Sequence, residues 1–239
     1  MDKPLKDKLA LVTGASRGIG AATAVALAAR GAHVVVTART SAGLEQVEQA
    51  IFDAGGSATI APLDLTQTDA IAKLAQAVGE RWQALDVLVL NAATLGSLAA
   101  VPAIDPKEFA RVMTLNVSAP LAMLTAFDLL LRRSEGARVI GVTSSVARKP
   151  RAYWGAYGAS KAAFENLLLS YGDEVEAMTR VRTCILDPGA TRTAMRARAY
   201  PGEDPNSVKP PEVVAERIAE LAVAGFGPGH VERVSASQA

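Results

Sequence analysis

The sequence predicts a doubly wound α/β fold, a parallel sheet with helices on both faces. Three observations carry this. Apolar runs of strand length alternate with helical patterns from Leu9 onward. The runs are not broken by polar residues, as in Val87-Leu88-Val89-Leu90, which is the mark of strands covered on both faces. A glycine cluster lies between the first strand and the first helix.

The elements follow in order. Leu9 to Thr13 reads as a buried strand, and Ile19 to Arg30 as an alanine-rich helix closed by Gly31. His33 to Thr37 is a second strand, Leu44 to Ala54 a helix ended by Gly55-Gly56, and Ser57 to Pro62 a third strand. Asp69 to Trp82 is a third helix and Val87 to Leu90 a fourth strand. Pro106 to Arg133 reads as a long helix that Pro120 interrupts. Arg138 to Val142 is a strand, Ala156 to Met178 a helix and Val181 to Leu186 a sixth strand. Residues 190–210 hold three prolines and no clear period, and are expected to form a lid loop. Glu212 to Ala224 is the last helix, and Gly229 to Ser235 adds a short edge strand. With no repeat or linker, residues 1–239 are expected to be one domain.

Composition narrows the function classes. Lys and Arg number 25 against 24 Asp and Glu, so no electrostatic footprint for nucleic acid or an acidic membrane is present. The single cysteine, Cys184, excludes an internal disulfide and a multi-cysteine metal site, and it is read as core. Two histidines, His33 and His230, argue against a histidine zinc site or a Ser-His-Asp triad, and no metal is expected. The N-terminus, Met1 to Lys8, is charged and lacks the apolar stretch of a secretory signal. The uncharged run Val87 to Ile104 contains Asn91, Gly96 and Pro102, which suits a strand and loop better than a membrane span. A cytoplasmic protein with a small-molecule substrate is the expectation.

The turn Thr13-Gly14-Ala15-Ser16-Arg17-Gly18-Ile19-Gly20 would let the backbone approach a pyrophosphate at a helix N-terminus. Its G-x3-G-x-G spacing departs from the standard dinucleotide fingerprint. Binding of NAD calls for a carboxylate near the end of the second strand, yet none occurs between Gly20 and Glu45. Arg17 in the turn and Arg39 after the strand suit a 2′-phosphate instead, which favours NADP(H).

Tyr157 and Lys161 are four residues apart at the start of a helix and so share one face. A phenol is a weak acid near neutrality, and a neighbouring ammonium is expected to lower its pKa by stabilising the phenolate.

These motifs, with Asn91-Ala92, Asn116, Ser144-Ser145 and Pro188-Gly189, come in the order seen in classical short-chain dehydrogenases/reductases. The chain resembles that family from about Leu5 to Leu221. The resemblance implies a Rossmann-type single domain and an NADP(H)-dependent oxidoreductase interconverting a carbonyl and its alcohol. Apolar residues on more than one face of the helices at 106–133 and 156–178, including Leu167-Leu168-Leu169, suit a homo-oligomer, a dimer or tetramer. By position, Tyr157 would be the general acid/base and Lys161 would hold the nicotinamide ribose and tune Tyr157. Ser145 would hydrogen-bond the substrate carbonyl, and Asn116 would fix a water leading to Lys161. Gly14, Ser16, Arg17, Gly18, Ile19 and Gly20 would cradle the cofactor phosphates. Asp64 and Leu65 look like the adenine contact, and Asn91 and Ala92 like the ribose contact. Pro188, Gly189, Thr191 and Thr193 resemble the segment around the carboxamide and phosphates. A cofactor-binding regulatory protein without turnover is the alternative.

Two features depart from the pattern. Ala93 stands where the family has glycine, which restricts the backbone, and either Ser144 or Ser145 satisfies the serine spacing, with the Ser-Val-Ala context favouring Ser145. Asp128, Glu165 and Glu174 read as surface or interhelix charges. Arg192, Arg196 and Arg198 read either as ordinary charges of the lid loop, with Glu203 and Asp204 nearby, or as a basic group able to attract an acidic substrate. Tyr153 and Trp154 are read either as walls of the substrate pocket or as helix-entry packing.

Overall fold

The computed structural model describes residues 3–235; Met1 and Asp2, which begin the charged N-terminal stretch, lie outside them. Among the described residues, strands β1 (Leu9–Thr13), β2 (His33–Ala38), β3 (Ser57–Pro62), β4 (Val87–Leu90), β5 (Arg138–Val142), β6 (Arg182–Asp187) and β7 (His230–Arg233) form one sheet. Its order is β3-β2-β1-β4-β5-β6-β7, with every neighbouring pair parallel. The chain winds outward from β1 to β3, then returns to lay β4 on the other side of β1. That reversal opens a crevice at the carboxyl ends of β1 and β4, where open α/β sheets bind ligands.

The uninterrupted apolar strands are explained by what covers them. Ala10 and Val12 of β1 point into the core shared with helices α1 (Gly18–Ala29), α2 (Ser41–Asp53) and α8 (Pro211–Ala224). Leu9 and Leu11 point the opposite way, into the core shared with α3 (Thr68–Arg81), α5 (Ala119–Arg133) and α6 (Gly155–Glu176). This alternation is the two-residue period of a strand, apolar on both faces because both are covered.

Two expectations for the elements change. Pro106 to Arg133 is not one regular helix: α4 (Pro106–Met113) and α5 are joined by a π-helical turn over Thr114–Ser118. Pro120 lacks the N–H that a regular helix would donate to Asn116, and one extra residue in the turn accommodates this. By length and composition the run could cross a membrane; here Met123, Leu124, Phe127 and Leu131 pack in the core against the sheet. The segment 190–210 also holds a short helix, α7 (Ala194–Ala199), and a 3-10 turn at Pro205–Ser207. Six residues are too few to display a helical period.

His33 and Cys184 are structural, as read from the sequence. His33 stacks on Trp82, and its ring nitrogens meet the hydroxyls of Ser57 and Thr59. Cys184 is fully buried in β6, and burial pushes its thiol up to about 12, far from a nucleophile's range.

Candidate active site

The crevice is built by fixing the ends of β1 and β4 to each other. Thr13 Oγ1 donates to the Val89 carbonyl and accepts from the amides of Asn91 and Ala92. Asn91 Nδ2 donates back to the carbonyls of Thr13 (2.9 Å) and Gly14 (3.3 Å). Little space is left for side chains. Gly14 has φ of +65°, and a Cβ there would lie 2.8 Å from Ala92 Cα. A Cβ on Gly20 would strike the Gly14 carbonyl oxygen and come within 2.5 Å of Asn91 Nδ2. Ala93 has no positive φ; the left-handed position in this loop falls on Gly96, so the departure at Ala93 is accommodated without strain.

The first turn of α1 is prepared for an anion. Arg17 precedes it in extended conformation without a side-chain cap, and no acidic residue lies in that turn. The amides of Gly18, Ile19 and Gly20 are therefore not satisfied by a cap of the protein's own. Ile19 anchors the turn by packing on the core, and Ser16 lies against α2, where a Cβ on Gly43 would come within 2.8 Å of it. The Thr193 methyl lies 3.4 Å from where a Cβ on Gly18 would stand, so the segment after β6 closes over the turn. In that segment Gly189 has φ of +62°, Thr191 Oγ1 donates to the Pro188 carbonyl, and Thr193 caps α7.

Arg17 and Arg39 are exposed, and neither guanidinium forms a hydrogen bond or ion pair among the described residues. Asp64 follows β3 beside them. Hydrogen bonds from the Thr66 amide and hydroxyl hold its carboxyl below the usual carboxylate range, with a smaller effect from the Arg39 charge. Leu65 is buried and lines an apolar hollow with Thr13, Leu90, Ala92 and Leu115.

The second half of the crevice is the start of α6. Tyr157 and Lys161 are both buried, with Lys161 Nζ 5.9 Å from the Tyr157 ring centre. Lys161 Nζ donates to the Val142 carbonyl at the end of β5 (2.8 Å), and burial brings its pKa down to about 8. The expectation for Tyr157 is corrected. Its pKa is raised rather than lowered, first by burial and then by the negative charge of Asp187 at the end of β6. The ammonium is directed at the Val142 carbonyl, and the desolvation of the phenol dominates.

Asn116 lies in the π-helical turn. Its Oδ1 accepts from the Thr94 amide, and its Nδ2 donates to the Thr94 carbonyl and to Ser160 Oγ. Ser160 Oγ in turn donates to the Tyr157 carbonyl. The Asn116 amide thus ties the loop after β4 to α6. Ser144 and Ser145 sit between β5 and α6, and neither hydroxyl has a hydrogen-bond partner among the described residues.

Tyr157 packs in an apolar cluster with Leu95, Val146, Trp154, Met195 and Ala199. Trp154 meets Tyr157 edge-on at 6.0 Å and also contacts Tyr200, whereas Tyr153 is exposed with φ of +71°. Of the arginines read as a basic group, Arg196 is engaged by both carboxylate oxygens of Glu203, and Arg192 donates to Asn206. Arg198 is exposed. Arg151, which sequence reasoning passed over, bridges Trp154 and Tyr200 instead. Of the three acidic residues read as surface or interhelix charges, Glu165 is buried in α6, Asp128 pairs with Arg132 and Tyr171, and Glu174 is exposed.

Comparison with known proteins adds a decisive observation. Residues 8–204 match the short chain dehydrogenase family. The chain belongs to the short-chain dehydrogenase family. It is 38% identical over 210 residues to the uncharacterized oxidoreductase YciK of Escherichia coli K12, covering 87% of this chain and 82% of that protein. A Shigella flexneri 2a short-chain dehydrogenase structure complexed with NADP superposes with a TM-score of 0.91 at 34% identity, covering 98% of this chain and 99% of that one. An Escherichia coli CFT073 structure complexed with NADPH gives a TM-score of 0.90 at 34% identity, covering 98% of each chain. Membership of this oxidoreductase family implies a nucleotide cofactor and a small-molecule substrate.

Proposed function

We propose that this short-chain dehydrogenase is an NADP(H)-dependent oxidoreductase that interconverts a ketone or aldehyde and its alcohol, with Tyr157 as the general acid/base. The observation that carries this is the placement of Tyr157 and Lys161 on one buried face of α6, beside the crevice whose glycine turn has no room for side chains. When bound, the nicotinamide would supply or accept the hydride.

This chain's residues do the rest. The free amides of α1 hold the pyrophosphate, with Gly14, Ser16, Gly18, Ile19 and Gly20 shaping the turn. Pro188, Gly189, Thr191 and Thr193 close over it, and residues 190–210 act as the lid. Asn91 and Ala92 border the ribose, and Asp64 and Leu65 the adenine. Arg17 in the glycine turn and Arg39 at the end of β2, both exposed, hold the 2′-phosphate. The carbonyl oxygen lies between Ser145 and Tyr157. Because burial keeps the phenol protonated at neutral pH, Tyr157 can donate that proton to the oxygen as it gains charge. The buried ammonium of Lys161 holds the nicotinamide ribose and opposes negative charge on Tyr157, while Asn116 fixes the loop before the site.

The same reading makes residues 1–239 one cytoplasmic domain, assembling as a dimer or tetramer through the outer faces of α5 and α6. Leu121 and Leu129 are exposed on α5. Loss of absorbance at 340 nm from NADPH across a panel of ketones and aldehydes tests the activity. NADPH binding without oxidation of the cofactor by any member would favour a regulatory protein instead.

A further inference from the structure

Glu165 lies one helical turn beyond Lys161 and is only 7% exposed. Its two oxygens are used on opposite sides of one short segment. Oε1 accepts from Thr143 Oγ1 (2.7 Å), at the end of β5 just before Ser144. Oε2 accepts from Arg148 Nε (2.8 Å), just after the 3-10 turn Ser145–Ala147. One buried carboxylate therefore holds both ends of the serine segment to the helix that carries Tyr157 and Lys161. The inner arm is buried and the outer arm is half exposed.

We propose that Glu165 is a positioning residue, clamping the Ser144–Ser145 segment in register with the Tyr157–Lys161 face and supplying the counter-charge for the buried Lys161 ammonium. The proposal rests on the reading that this face is the catalytic one, and it deepens that reading by assigning a residue that touches neither substrate nor cofactor. The charged groups that bear on it are Lys161, one turn back on α6, and Arg148 after β5. Burial drives Lys161 toward its neutral form, and the Glu165 charge is what opposes this. Arg148 partly offsets that charge from the solvent side, where it is screened.

The test needs no substrate. The Lys161 side chain, with 13C at Cε, is titrated by NMR in the full chain and assigned with Lys161→Met. Removing the charge with Glu165→Gln should lower the Lys161 midpoint by about 1 pH unit. Removing the outer arm with Arg148→Met should raise the midpoint or leave it in place. The double variant Thr143→Val/Arg148→Met should speed exchange of the Ala147 and Lys149 amides, which bond to Ser144 and Ser145, by about tenfold or more. The β5 amides of Val139 to Gly141 should stay unchanged. An unmoved Lys161 midpoint in Glu165→Gln overturns the charge role, and unchanged exchange of Ala147 and Lys149 overturns the clamp. Should Glu165→Gln fail to fold, the other two variants decide: a lowered Lys161 midpoint in Arg148→Met overturns the charge role, and unchanged exchange in the double variant overturns the clamp. Because neither readout requires turnover, full activity in Tyr157→Phe would reject the catalytic reading without touching this result.

Discussion

Lys161 Nζ donates to the Val142 carbonyl oxygen at 2.8 Å, joining the helix that carries Tyr157 to the end of strand β5. A lysine held this deeply is a strained choice for packing, because the ammonium has left water for a single carbonyl partner. Its pKa near 8 in the folded chain, against 10.5 when unperturbed, carries a sign. Between those values the unfolded chain binds more protons, so stability attributable to Lys161 rises with pH across the window and is lowest below pH 8. In urea unfolding, the wild type should gain on the order of 2 kcal/mol relative to Lys161→Met between pH 8 and 10.5. Parallel stability curves for the two proteins would show that the ammonium is not desolvated.

Cofactor choice should lie in Arg17 and Arg39. Charged hydrogen bonds contribute about 1.5–3 kcal/mol each when well made, and less for exposed, screened groups. The double variant Arg17→Ala/Arg39→Ala should weaken NADPH binding by roughly 10–1000-fold while NADH affinity barely moves. Titration of each cofactor by nicotinamide fluorescence checks this. A wild type preferring NADH would contradict the 2′-phosphate assignment.

The glycine turn should not tolerate a methyl group. In Gly20→Ala the new Cβ meets the Gly14 carbonyl and the Asn91 amide, neither of which can retreat without disturbing β1 or β4. A cost of about 1–3 kcal/mol is expected, together with at least a tenfold loss of NADPH affinity. Unchanged thermal stability and affinity would mean that the turn is looser than its geometry.

The two serines can be separated by substitution. Ser145→Ala should lower turnover by about 10²–10³, the usual effect of removing one donor to a developing oxyanion. Ser144→Ala should stay within a few-fold. The reverse order would move the substrate contact to Ser144.

Most of this site was legible because its chemistry is local in sequence. The glycine turn, the Tyr157–Lys161 spacing and the missing carboxylate after β2 are each contained in one short stretch, and strand alternation fixes which end of the sheet they share. The features that escaped depend on contacts between distant elements. Glu165 looks like any helical glutamate until Thr143 and Arg148 are folded against it. Arg151 has no visible partner until Tyr200, 49 residues away, reaches it. The rise in the Tyr157 pKa could not be read either, since spacing shows the neighbouring charge but not the depth of burial. The π-helical turn had a signal in Pro120, which marks the interruption but not its type.

The most direct test of the central claim is single-turnover oxidation of NADPH by a reactive carbonyl, followed at 340 nm in wild type and Tyr157→Phe. Phenylalanine keeps the ring that packs on Trp154 and Val146 and removes only the hydroxyl. If Tyr157 protonates the carbonyl oxygen, the variant should lose roughly 10²–10⁴ in rate while binding NADPH as the wild type does. A variant that retains half of the wild-type rate would contradict the account.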